Sequence, residues 1–131
     1  MNTVNKQTAF ELKEAGFPQP IPAFGQVWWH MDGSLHVVMR KGEFHTITRY
    51  IQDDRVCAGF FNDEALAEMA FAPNAVDILA EMPSGDAILK VSSSLYECSC
   101  FSNSKSFIMF GESPHEAMAS RYLAINNAER V

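Results

Sequence analysis

The sequence predicts an α+β fold: an antiparallel, hairpin-rich sheet of about five strands packed against three to four helices, as a single domain over residues 1–131. Three observations carry that prediction. The stretch Val27 to Met39 turns at Asp32-Gly33 and is apolar on both faces; a sheet with one face to bury alternates apolar and polar, so each face here needs a cover. Helix-bounding signals recur at Gly16, Asn62, Pro73 and Ser113-Pro114. The resulting order, α-β-β-β-α-α-β-(β)-β-α, joins neighbouring strands by tight turns rather than by the helical crossovers a parallel sheet needs. A mixed sheet with helices on both faces is the alternative architecture, and it too covers both faces of the hairpin.

The first helix runs from about Lys6 to Ala15. Gly16 supplies the left-handed position after it, and Phe17 folds back on Leu12 in a Schellman arrangement. Pro18, Pro20 and Pro22 then impose an extended run. Asp32-Gly33 reads as a two-residue turn, which sets Met31 opposite Ser34, His30 opposite Leu35, Trp29 opposite His36 and Trp28 opposite Val37. One face then carries Trp28, Leu35, Val37 and Met39 with His30 and Gln26. The other carries Val27, Trp29, Met31 and Val38 with His36 and Arg40. A slip of one residue swaps these sets and leaves both faces apolar.

Lys41-Gly42 makes a second turn, and Phe44 to Ile51 has the β-branched and aromatic content of a third strand. Val56 to Phe61 fits a short strand or a loop. Asn62-Asp63-Glu64 starts a short helix with a cap and two acids against the positive end of its dipole. Pro73 opens another helix to about Glu81, closed by Pro83 and Ser84-Gly85, with Val76, Leu79 and Ala80 as its apolar stripe. Strands follow near Ala87 to Ser92 and Phe107 to Phe110, with Leu95 to Cys100 as a third between them. The last helix begins at the capping box Ser113-Pro114-His115-Glu116. It presents Met118, Tyr122 and Ile125, joined by Ala119 and Leu123, and ends at Asn126-Asn127.

Composition narrows the function classes. Ten Phe and two Trp in 131 residues fill a core without metals or disulfides. No apolar run approaches the ~20 residues of a membrane span, and the polar N-terminal stretch lacks a signal-peptide core. A cytoplasmic protein is expected, with three reduced cysteines, no membrane partner and no cofactor. Of the net charge of −6, the segment Ile51 to Asp86 holds eight acids and one base, Arg55. Such a segment repels phosphates, so no nucleic-acid partner is expected. It reads as a solvated face, or, more sharply, as an acidic inhibitor surface for a basic host protein.

No motif dictates a reaction: GxxxxGK[ST], GxGxxG, GxSxG and HExxH are all absent. Cys98-Ser99-Cys100 places two sulfurs on one face of a strand, and Cys57, His36 or His45 would have to complete a zinc site. The C-x-C spacing departs from the usual C-x₂₋₄-C, so structural cysteines are the simpler reading. Trp29 opposite His36 offers an aromatic platform beside a polar group, or a plain cross-strand contact. Asp53, Asp54, Asp63, Glu64 and Glu68 lack the spacing of a calcium loop and read as a solvated loop and a helix cap. His115 reads as a surface residue.

The segments Leu12-Lys13-Glu14-Ala15-Gly16-Phe17-Pro18-Gln19-Pro20, Phe71-Ala72-Pro73-Asn74-Ala75-Val76-Asp77-Ile78-Leu79 and Ser113-Pro114-His115-Glu116-Ala117 together resemble small uncharacterised proteins of bacterial phage and mobile genetic elements. The resemblance implies a cytoplasmic protein of phage type and an interaction role in preference to an enzymatic one; it carries over no catalytic residue. The expected function is a non-enzymatic interaction domain, a homodimer or other homo-oligomer, with Trp29, Met31, His36 and Val38 as interface or ligand candidates. The competing expectation is a small-molecule site or minor enzyme near Trp29, His36 and Cys98/Cys100.

Overall fold

The computed structural model describes residues 3–81, 87–92, 94–102 and 105–129, and the chain forms two units, residues 18–72 and residues 1–17 with 73–131. The α+β expectation holds. The strands divide between a five-stranded sheet in the first unit and a three-stranded sheet in the second, both antiparallel throughout.

In residues 18–72 the chain lays down β1 (Val27–His30), β2 (Leu35–Lys41), β3 (His45–Gln52), β4 (Arg55–Asn62), α2 (Asp63–Leu66) and β5 (Met69–Phe71), in spatial order β4-β3-β2-β1-β5. The first hairpin differs by one residue from the two-residue reading. Trp28 lies opposite His36 and Trp29 opposite Leu35, because the loop is Met31-Asp32-Gly33. His30 and Ser34 close it, with the Gly33 N–H on the His30 carbonyl at 3.0 Å, and Gly33 takes φ +93°. Asp32 keeps a negative φ and turns its carboxylate onto the Ser34 N–H at 2.8 Å. A two-residue I′ turn needs two positive φ values. That turn occurs instead at Asp53-Asp54 (φ 51° and 61°), which joins β3 to β4 with Gln52 opposite Arg55.

The stretch that fitted a strand or a loop is the eight-residue β4. Asn62 caps α2, accepting from the Ala65 N–H at 2.7 Å. Strand β5 follows, which sequence periodicity does not show. It is three residues long and fully buried, so it shows no alternation, and only its pairing with β1 reveals it.

The other unit contains α1 (Lys6–Glu14), α3 (Ala75–Ala80), β6 (Ala87–Ser92), β7 (Leu95–Ser102), β8 (Lys105–Gly111) and α4 (Pro114–Glu129). Helix α1 ends in the expected Schellman motif: the Phe17 N–H reaches the Leu12 carbonyl (2.9 Å), the Gly16 N–H that of Lys13 (3.1 Å), and Gly16 has φ +93°. Helix α3 starts two residues later than the proline suggested, at Ala75 behind an Asn74–Asp77 capping box. That phase buries Ile78 and leaves Val76 and Leu79 exposed, which corrects the expected stripe. Its expected stop at Pro83 and Ser84-Gly85 lies outside the described residues.

Helix α4 continues past Asn126-Asn127 to Glu129. Its inner side adds a fully buried Arg121 to Ala117, Met118, Ala119 and Ile125. Glu116 departs from the expected capping box. Its own N–H bonds the Ser113 hydroxyl (3.2 Å), but its carboxylate crosses to the start of α1, accepting from the Asn5 N–H (2.7 Å) and the Thr8 hydroxyl (2.9 Å). An acid at that helix N-terminus satisfies a free donor and opposes the dipole.

Candidate functional site

Register assigns every side chain of the five-stranded sheet to a face. Trp28, His36, Val38, Thr46, Thr48 and Phe61 share one face through the pairs Trp28–His36, Val38–Thr48 and Thr46–Phe61, and all but Phe61 are at most 2% exposed. The sheet curls about this face. The His30 and Phe61 rings, on strands separated by two others, come within 5.8 Å, and the His36 ring lies 4.6 Å from Tyr50 and 5.0 Å from Phe61. Gly59 makes the curl possible. A Cβ there would overlap the Thr48 hydroxyl and sit 2.8 Å from the Phe61 ring and 3.1 Å from His36 Nδ1.

A hydrogen-bonded chain runs through this face: Asp32 Oδ1, Ser34 Oγ, His36 Nε2, then His36 Nδ1 and Thr48 Oγ1, with the links about His36 both 2.8 Å. The Ser34 hydroxyl and then its backbone N–H hold Asp32 down to about 2, so at neutral pH Asp32 is a carboxylate and can only accept. The Ser34 proton therefore goes to Asp32. His36 Nε2–H donates to Ser34, and Nδ1 accepts from the Thr48 hydroxyl. Burial first, and His30 second, push His36 below the usual histidine range, with Asp32 opposing. The Ser–His pair thus has the spacing of an activated nucleophile and the opposite proton order: His36 cannot take a proton from Ser34 while Nε2 carries its own. The network braces the turn.

The opposite face points outward. Trp29 lies opposite Leu35, Ile51 opposite Val56, and Ile47 opposite Phe60. The most exposed apolar side chains lie at β3 and β4: Ala70 on β5 is 0% exposed and Val37 on β2 36%, whereas Ile51, Phe60 and Val56 are 74%, 66% and 71%, with Ile47 half-buried and Arg49 between the two pairs. His45 stacks on Phe60 with ring centroids 4.2 Å apart.

The sequence-predicted residues scatter accordingly. Trp29 is half-buried on the outward face, and Met31 is an exposed loop residue. His36 and Val38, at 2% and 1% exposed, belong to the inner face, which corrects the set that grouped them with Trp29. The single-residue difference in register is the reason, and Trp29 and His36 therefore line no common pocket. Cys98 is buried in β7, paired with Ile88 and Met109; the side chain of Cys100 lies outside the described residues. Among the described residues, no three His, Cys, Asp or Glu side chains gather as a metal-binding group, and no helix is long and apolar enough to cross a membrane. The acids have local roles: Asp53 and Asp54 form the turn, Asp63 and Glu64 open α2, and Lys41 pairs with Asp63 at 3.1 Å.

Sequence reasoning passed over Ile51, Val56 and Phe60. For Val56 and Phe60, alternation with Arg55, Cys57 and Gly59 is the available signal, obscured by two adjacent phenylalanines. No family model, curated protein or solved structure matches the chain.

Proposed function

We propose that this protein works by binding rather than by catalysis, and that it self-associates through the outward side of the five-stranded sheet where β3 and β4 lie. The observation that carries this reading is the strong exposure of three apolar side chains at that end of the face, Ile51, Val56 and Phe60. Large contiguous apolar exposure is uncommon on a protein that stays alone in water, and aromatic side chains are favoured in interface cores. The proton order of the Ser34–His36 pair removes the one arrangement on this sheet that resembles a nucleophile. The likeness of three helix-bounding segments to phage and mobile-element proteins favours an interaction role as well.

Sedimentation equilibrium on the full chain tests the reading. The wild type is expected to form a dimer, and Phe60→Lys, which places a charge where the side chain is 66% exposed, to raise the dissociation constant about tenfold or more. A wild type that stays monomeric up to about 1 mM, the weakest association that matters here, overturns it.

A further inference from the structure

The two edges of the five-stranded sheet are unlike. At one, β5 is three residues long and its Phe71 N–H is already taken by the Gln19 side chain at 2.9 Å. At the other, β4 runs eight residues in unbroken register with β3. Open edges are ordinarily guarded by lysine, proline, a bulge or brevity. Strand β4 has none of these; its one charge, Arg55, sits at the turn.

The I′ turn makes Gln52–Arg55 a hydrogen-bonded pair, so bonding to β3 alternates from there: Arg55, Cys57, Gly59 and Phe61 face β3, while Val56, Ala58 and Phe60 aim their N–H and C=O groups away from it. Among the described residues, no backbone hydrogen bond reaches those outward groups. These same three residues carry their side chains on the exposed outward face.

We propose that two copies of this chain pair antiparallel along β4, about a two-fold axis at Ala58, joining their sheets into one ten-stranded sheet. This rests on the self-association proposed above and specifies its geometry. Antiparallel pairing must keep facing residues on one side of the sheet, and a register centred on Ala58 does so. Val56 meets Phe60 of the second copy, Ala58 meets its counterpart, and Arg55 lies across from Phe61 on the other side. The three outward residues on each copy then exchange about six backbone hydrogen bonds. The two-fold makes the strand its own complement, and the blocked edge at β5 closes the assembly at two copies.

The test uses the full chain in sedimentation velocity. Ala58→Pro deletes an outward N–H without touching the bonds to β3, a position where an edge strand tolerates proline; Val56→Lys adds a guard at a side chain already 71% exposed. Both are expected to weaken dimerisation about tenfold or more while far-ultraviolet dichroism is unchanged, and the cross-link at Ala58 decides the matter if the proline variant misfolds. Ala58→Cys in a Cys57→Ser background is expected to cross-link to itself with a short bismaleimide, and Ile51→Cys, one strand inward, is not. A dimer that survives Ala58→Pro but is lost in Phe60→Lys, or that cross-links through Ile51→Cys and not through Ala58→Cys, overturns the edge pairing and leaves self-association through the face intact. A monomeric wild type overturns both.

Discussion

Replacing Gly59 with alanine tests the account of the inner face. The added methyl would overlap the Thr48 hydroxyl and approach the Phe61 ring to 2.8 Å. Gly59 cannot retreat, because it is bonded into the ladder opposite Thr48. Thr48, itself 1% exposed, must give way and break its bond to His36. Losing that bond costs about 1 kcal/mol, and overpacking a filled interior costs about 1–3 kcal/mol more, so the variant should lose about 2–4 kcal/mol. In urea the midpoint should fall by roughly 1–2 M with an unchanged slope. Protein concentration must be held constant, since association adds to apparent stability. Thr48→Ala alone removes the donor to His36 Nδ1 and costs about 1–3 kcal/mol. In the double variant the methyl enters the space the threonine left, so the combined loss should fall short of the two single losses added together by about 1 kcal/mol or more. Gly59→Ala within about 0.5 kcal/mol of wild type, the range of a neutral surface change, or strictly additive losses, would refute the packing argument.

Two further outcomes follow from the hydrogen bonds. Burial depresses His36, so the unfolded chain takes up a proton near pH 6.5 that the folded chain refuses; stability is complete above that pH and declines as pH falls below it. His115, also lowered chiefly by burial, acts in the same direction, so His36→Gln should make the decline between about pH 6.5 and 5 shallower without abolishing it, and an unchanged slope in urea titrations at several pH values counts against the neutral His36. Glu116→Ala should cost about 1–3 kcal/mol by stripping the Asn5 N–H and the Thr8 hydroxyl of their acceptor. Glu116→Gln should recover part of that, and a thermal melt in which both match wild type would show that the carboxylate does not hold α1.

Local chemistry decided most of what was legible. The Schellman end at Gly16-Phe17, the cap at Asn62, the strands from Ala87 and Leu95 and the start of α4 were all readable, because each depends on a few neighbouring residues and their own backbone geometry. What failed locally did so where two signals compete. Asp32-Gly33 suits a two-residue turn, but Asp32 keeps a negative φ and turns its carboxylate to Ser34, and one added loop residue moved His36 and Val38 to the interior. The Glu116 carboxylate suits the start of its own helix but found the start of α1.

By itself, then, the sequence determined that the chain is α+β, where most helices and strands begin, and that the hairpin is apolar on both sides. Only the tertiary structure decided which side faces inward, that the strands form two sheets, and that β4 ends one of them as an open edge. Strand order and curl depend on pairings between distant residues. No local propensity records them: His30 and Phe61 lie 5.8 Å apart in space with two whole strands between them in the sheet.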